Sequence, residues 1–252
     1  MTTPGVANDQ DYLPALPDLA ARPELVPPML LDLTGAGATG LDDVDRAVMA
    51  AVAEDTDTRA LWRAWRFRAD EDPVRLFLVE MNAGKASSAL PTPADGSLVE
   101  TYPVTTGPPG HLRTARGRSA LLWSAEPATP IHVARVFDRV DPAQGPQFDP
   151  DHPTVTGADR PQQLLGYLNA GQLLLATTDR MPDILDAGAG PVVPMSYRTD
   201  GSWVWTDTVA YYLRTYGLSP DPELVAHIRA RDHVVSPVSA AAAHRALAAL
   251  MS

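Results

Sequence analysis

Proline placement constrains what this chain can fold into more than any other sequence feature. The 252 residues include 25 prolines, of which six lie within residues 1–28 and five within 141–161. Proline locks φ and has no backbone N–H, so neither stretch can form a long helix or a central strand. The sequence therefore predicts an extended arm over 1–28 and a linker that separates two subdomains, 29–141 and 160–252.

Composition and charge exclude several classes of protein. Asp and Glu outnumber Lys and Arg by 31 to 20, and the net charge of −11 repels phosphate backbones and anionic lipids. Cysteine is absent, which excludes disulfides and thiolate metal sites and is typical of the cytoplasm. The sequence shows neither an apolar run of about 18 residues nor a secretion signal. We expect a soluble cytoplasmic protein that binds neither nucleic acid nor membrane and holds no cofactor.

The first subdomain shows one helical pattern and several strand patterns. Leu41–Val52 repeats apolar residues at helical spacing, and its acidic residues cluster at the N-terminal end. Segments 61–68 and 74–81 are rich in aromatic and branched residues and flank turn-forming residues, so they predict a β-hairpin. With further strands predicted at 97–105, 119–124 and 131–140, this half is expected to form an antiparallel meander. Residues 106–111 are predicted to form a loop.

The second subdomain is predicted to be a β-hairpin followed by helices. Thr199-Asp200-Gly201 is a turn sequence that joins strands at 192–198 and 203–206. Capping residues then mark three helices, at 207–216, 222–231 and 238–250. A helix at 162–170 and a buried strand at 172–177 are predicted to precede the hairpin. The fold class expected for the whole chain is α+β.

An aromatic cluster is the most informative feature of the second subdomain. Only 6% of the chain is aromatic, yet six aromatic residues fall within residues 197–216. Strand alternation places Trp203 and Trp205 on one face of the hairpin, where they are predicted to stack on Tyr212 and Tyr216. The cluster is either core or, in part, an exposed anchor for a partner protein. The predicted partner-binding residues are Tyr197, Arg198, Asp200, Trp203, Trp205 and Tyr212.

A glycine-rich segment supports an alternative hypothesis, a nucleotide-binding enzyme or sensor. Gly35, Gly37 and Gly40 match the dinucleotide-binding pattern G-x-G-x-x-G between a predicted strand and a predicted helix. Three arginines, Arg113, Arg116 and Arg118, are close enough in sequence to clamp a phosphate. However, the predicted meander lacks the βαβ unit that the pattern requires. The segment around Lys85, the only lysine, lacks the glycine spacing of a P-loop.

The six histidines supply no catalytic motif. None has the spacing of a zinc-protease helix, a nucleophile elbow or a paired metal site. The sequence therefore predicts no catalytic residue and no metal ligand, and it favours a protein that is not an enzyme. A scaffold or secretion-associated adaptor is a third hypothesis.

Residues 194–228 read PMSYRTDGSWVWTDTVAYYLRTYGLSPDPELVAHI. This segment, with its DG-x-W-x-W turn and strand, its YYL helix and its second helix, resembles a C-terminal module of actinobacterial proteins. Those proteins are similar to immunity partners of polymorphic toxins, including partners that neutralise NAD-degrading toxins. The resemblance spans about residues 160–235 and carries no catalytic signature. It implies an antitoxin that occludes the active-site cleft of a secreted toxin, and an acidic inhibitor suits a basic cleft.

Overall fold

A computed structural model of the chain describes residues 12–13, 30–35, 38–67, 72–83, 90, 93–156 and 160–251. Most of the predicted arm lies outside these residues, as do Gly37 and Lys85. The described residues form two compact units, one within 1–128 that also includes residue 251, and one within 129–250. Both units combine helices with sheet, so the predicted α+β class is confirmed. No helix among the described residues is long and apolar enough to cross a membrane.

The first unit is built on a six-stranded sheet with two helices. Five strands follow the order β2-β6-β3-β4-β5, and β1 also pairs with β3. The predicted hairpin is confirmed as the antiparallel pair β3–β4, whereas β4–β5 and β2–β6 are parallel. The elements are β1 (Tyr12–Leu13), β2 (Leu31–Asp32), α1 (Asp43–Glu54), β3 (Thr58–Arg66), β4 (Val74–Met81), β5 (Leu98–Pro103), α2 (Gly110–Arg116) and β6 (Ala120–Ser124).

The second unit begins earlier than the proline-rich linker suggests. Its first strand, β7 (His132–Val133), pairs in parallel with β14 (Trp203–Thr206), so residues from 129 onward belong to this unit. The segment predicted as one strand, 131–140, is interrupted and continues as a separate strand. The remaining elements are β8 (Arg139–Asp141), β9 (Gly145–Gln147), α3 (Pro161–Ala170), β10 (Gln172–Leu175), β11 (Arg180–Pro182), β12 (Pro191–Pro194), β13 (Tyr197–Thr199), α4 (Asp207–Tyr216), α5 (Pro222–Ala230) and α6 (Ala240–Met251).

A four-stranded sheet of order β10-β13-β14-β7 organises the second unit. Helices α3, α4 and α5 contribute Leu164, Leu213 and Ile228 to a core that also contains Trp203 and Trp205. Helix α4 ends at Gly217, whose φ of 71° allows its backbone N–H to bond the Leu213 carbonyl. The predicted hairpin is present as the pair β13–β14, and the three predicted helices follow it. The strand predicted at 192–198 is split, however, because its first part, β12, pairs with β11 instead.

Gly171, between α3 and β10, leaves space for a buried tryptophan. A Cβ at this position would overlap Cζ2 of Trp205 and lie 2.9 Å from its Cη2. Trp205 is only 1% exposed and cannot swing away. Gly171→Ala is therefore expected to lower the free energy of unfolding of this unit by about 1–3 kcal/mol, measured by chemical denaturation.

A second glycine, within α3 itself, provides the control. Gly166 is exposed, and a Cβ added there would have no atom within 4 Å. Because alanine favours helix more than glycine does, Gly166→Ala should stabilise the unit by about 0.5–1 kcal/mol. Equal effects of the two substitutions would contradict the packing argument.

Candidate protein-binding surface

The Asp200 carboxylate joins three elements of the second unit. Its Oδ1 accepts hydrogen bonds from the backbone amides of Ser202 at 2.9 Å and Trp203 at 2.8 Å. Its Oδ2 accepts from the Tyr167 hydroxyl on α3 and from Nε2 of His227 on α5, the latter at 2.6 Å. The side chain is fully buried. Asp200 therefore fixes the hairpin turn and attaches both helices to it.

These bonds keep the buried carboxylate ionised. Burial alone would raise the pKa of Asp200, but the donors from Tyr167, Ser202, Trp203 and His227 outweigh it and lower the pKa to about 2. Burial and the same bond to Asp200 raise the pKa of the Tyr167 hydroxyl. The cluster is thus an anion held by several hydrogen-bond donors, which is an arrangement that stabilises a fold.

The two hairpin tryptophans have different neighbours from those predicted. Trp205 lies 5.9 Å from the Tyr167 ring, and its Nε1 donates to the Leu168 carbonyl at 3.1 Å. Trp203 stacks on His132 at 5.0 Å and lies 5.9 Å from His227. The prediction that the two tryptophans stack on Tyr212 and Tyr216 is wrong, because the tyrosine rings of α4 contact other side chains.

The tyrosines of α4 hold the loop between β11 and β12. Tyr212 packs on Tyr216 with ring centroids 6.0 Å apart, and its hydroxyl accepts from the Ile184 amide. Oδ2 of Asp183 accepts from the hydroxyls of Tyr211 at 2.8 Å and Tyr216 at 2.6 Å. Burial would raise the pKa of Asp183, but these donors and the Leu185 amide lower it.

Four of the six side chains predicted to bind a partner are therefore buried in the interior of the second unit. Asp200, Trp203, Trp205 and Tyr212 are all buried, so they shape the surface from beneath. Tyr197 and Arg198 on β13 are half-buried. The Arg198 guanidinium is also engaged, since it pairs with Asp207 at 2.6 Å and donates to the carbonyls of Asn169 and Gly171.

The exposed apolar surface lies beside them, on strand β10. This strand is the outermost of its sheet and pairs with β13, with Leu173 opposite Arg198 and Leu175 opposite Tyr197. Leu173 is 49% exposed, Leu175 45%, and Met195 on the connection to β13 37%. We call Leu173 and Leu175 of β10 the apolar strip. The prediction of a buried strand at 172–177 is wrong. Strand β10 is largely exposed, and among the described residues no strand pairs with its outer edge.

The glycine-rich segment of the alternative hypothesis leads into a helix end that disfavours anions. The Asp42 carboxylate accepts from the Asp45 amide at the start of α1, and the Asp45 carboxylate accepts from the Asp42 amide in return. The Asp45 amide at this helix end, which a cofactor phosphate would need, is therefore already bonded by a carboxylate of the chain. Gly40 adopts a φ of 88°, and its carbonyl accepts from Arg63. Gly35 lies in the same connection.

Those carboxylates are neutralised by arginines of the sheet. Arg63 forms an ion pair with Asp45. The Arg75 guanidinium donates to both carboxylate oxygens of Asp42, at 2.5 and 2.8 Å, and its Nη1 also lies 3.3 Å from Oδ1 of Asp45. Hydrogen bonds from Arg75 lower the pKa of Asp42 to about 2 against the effect of burial. Burial raises the pKa of Asp45, and the Arg63 charge opposes that rise. The network secures α1 to the sheet.

The three arginines proposed as a phosphate clamp lie in different environments. Arg113 is exposed on α2, a helix that begins at Gly110 within the predicted loop 106–111. Arg116 lies 5.7 Å from the Trp62 ring centroid, and Arg118 donates to the Tyr12 carbonyl at 2.9 Å. Two of the three thus interact with other parts of the same unit.

Comparison with protein-family models, with curated proteins and with solved structures finds no match to this chain. Among the described residues, no group of three or more His, Asp or Glu side chains is placed to hold a metal ion. The apolar strip on β10 is the feature of the second unit that most resembles a contact surface.

Proposed function

We propose that this chain is a cytoplasmic immunity protein that binds a secreted toxin and covers its active-site cleft. The exposed leucines of strand β10 are the observation that carries the proposal. Leu173 and Leu175 have about half of their surface in water. Exposed apolar side chains grouped on one element mark surfaces that a partner covers.

The buried clusters support the same function by making the surface rigid. Asp200 and Asp183 each bond groups from separate elements, so the sheet and its helices are set before a partner arrives. Preorganised surfaces lose less conformational entropy on binding. Inhibition by occlusion requires no chemical step and therefore no catalytic group.

The charge of the chain defines the chemistry of the partner. A net charge of −11 attracts a basic protein and speeds its association. Clefts that bind anionic substrates such as dinucleotides are basic, and an acidic protein suits them. The resemblance of residues 160–235 to immunity modules points to the same class of partner.

Co-expression tests this function directly. A secreted-toxin gene is expected beside the gene for this chain, and expression of that toxin alone should arrest growth. Co-expression of this chain should restore growth, and the two purified proteins should form a one-to-one complex in size-exclusion chromatography with light scattering. The inactivated toxin and an unrelated acidic protein serve as controls.

Two outcomes would reject the proposal. One is toxin activity that persists with excess of this chain present. The other is turnover of a small metabolite by this chain, lost on removal of one polar side chain.

A further inference from the structure

The proposed function leaves open how the partner is held, and strand β10 indicates the mode. We infer that β10 is a docking strand: an extended segment of a basic partner protein adds to the sheet beside Gln172–Leu175. The inference rests on the proposed function for the identity of the partner. It rests on the geometry of the sheet edge for the mode of binding.

The backbone of β10 offers hydrogen bonds on its outer side. An edge strand directs half of its N–H and C=O groups away from its neighbour. β13 pairs with the inner side of β10, and no other strand pairs with it within the part of the chain that the structure describes. An extended peptide satisfies these groups, and alternate side chains add specificity.

Other exposed strands of this unit are protected by extreme shortness, charge or proline, none of which β10 has. The opposite edge of the same sheet, β7, is only two residues long. β11 begins with Arg180, ends with Pro182 and pairs with a strand that begins and ends in proline. Extreme shortness, charge, proline and β-bulges are devices that keep edges from pairing. β10 reads Gln-Leu-Leu-Leu, and Ala-Thr-Thr follows it, with neither charge nor proline.

The geometry limits how much backbone pairing is possible. A β-bulge between Leu173 and Leu175 interrupts the register with β13 and increases the local twist. At Thr177 the backbone N–H bonds the Ser196 hydroxyl at 3.2 Å, which ends the ladder. The docked segment is therefore short, and the apolar strip must supply a large share of the affinity.

Charge favours a basic partner over a second copy of this chain. Two copies of this chain each carry a net charge of −11 and repel each other, whereas a basic segment is attracted to the chain. Arg198 and Arg180 near the strand are engaged, the first by Asp207 and the second by the Val192 carbonyl. A basic segment therefore does not meet a free arginine at either of these positions.

The experiment uses the inactivated toxin encoded beside this gene as the probe. Leu173→Lys and Leu175→Lys should each raise the Kd for the probe about tenfold or more, since each replaces an exposed apolar side chain of the proposed docking strand with a charge. Val234→Lys is the matched control, because Val234 is a 62% exposed apolar residue of the same unit outside β10. It should change the Kd less than about twofold. Circular dichroism confirms that each variant is folded.

Hydrogen exchange tests the strand pairing itself. Addition of the probe should slow exchange of the backbone amides of residues 172–176, and a basic probe segment should be protected at the same time. A complex that forms but tolerates both leucine substitutions overturns the docking strand while leaving the proposed function intact. Failure of the wild-type chain to bind overturns the proposed function first. Dimers of this chain alone that Leu173→Lys dissociates would identify a second copy as the occupant and reject the inference.

Discussion

Asp200→Ala is expected to lower the free energy of unfolding of the second unit by about 3–5 kcal/mol. Alanine removes one acceptor group from five donors: the Tyr167 and Ser202 hydroxyls, His227 Nε2 and two backbone amides. Each buried donor left without a partner costs about 1–3 kcal/mol. Native-state hydrogen exchange of residues 129–250 measures the loss separately from the first unit.

Two substitutions separate the contributions of this carboxylate. Asp200→Asn keeps an oxygen for the turn amides and loses the ionic acceptor for Tyr167 and His227. It should therefore lower the free energy of unfolding about half as much as Asp200→Ala does. Asp151→Ala removes an exposed aspartate of the same unit and should change stability by less than about 0.5 kcal/mol. An effect of Asp200→Ala as small as that of Asp151→Ala would contradict the role assigned to the cluster.

The pH dependence of the same variants gives a signed test. The pKa of Asp200 falls from 3.8 to about 2 on folding, which corresponds to roughly 2 kcal/mol of stability. Because the folded pKa is the lower one, this stability is present above about pH 4 and is lost as the pH falls through 2. The difference in stability between wild type and Asp200→Asn should therefore shrink by that amount between pH 5 and pH 2. A constant difference would show that Asp200 is not held as an anion.

Helices with strong end signals could be located from the sequence. Helix α4 begins and ends where predicted, because Gly217 provides the left-handed residue that stops it. Asp221 caps α5 by accepting from the Glu223 amide. In both cases the information lies within four residues of the helix end, so a local pattern suffices.

Whether a strand lies at the edge or in the centre of its sheet could not be predicted from a local pattern. Three consecutive leucines predict a buried strand, yet β10 is an edge, because its neighbours are set by pairing with distant residues. The parallel pairing of β4 with β5 also depends on a crossover that no local motif signals. Helix α2 did have a signal, the spacing of the buried residues Leu112 and Ala115.

The candidate site illustrates the same limit. Alternation predicts that Trp203 and Trp205 share a side, but it does not say whether that side meets water or helices. Gly171 settles the question, because its missing side chain admits the Trp205 ring. The sequence therefore identified a segment that the structure places largely in the core, while exposed leucines lie on the neighbouring strand, at Leu173 and Leu175.

Arg63→Met is expected to destabilise the first unit by about 3–5 kcal/mol, because it leaves the Asp45 carboxylate buried without its main counter-charge. The Asp45 side chain is fully buried and that of Arg63 is 2% exposed. Arg75 remains 3.3 Å from Asp45, but its charge is already paired with Asp42 through two hydrogen bonds. Hydrogen exchange of the amides in β3 and α1 measures the change.

Arg46→Met is the matched control, since it makes the same substitution in a pair that faces water. Arg46 bonds Asp43 one turn away on α1, with both side chains largely exposed, and such pairs contribute about 0.5 kcal/mol or less. Adding Asp45→Asn to Arg63→Met removes the uncompensated charge and should recover part of the lost stability. If the double variant is no more stable than Arg63→Met, the loss comes from packing of the arginine side chain, and the buried carboxylate is not its cause.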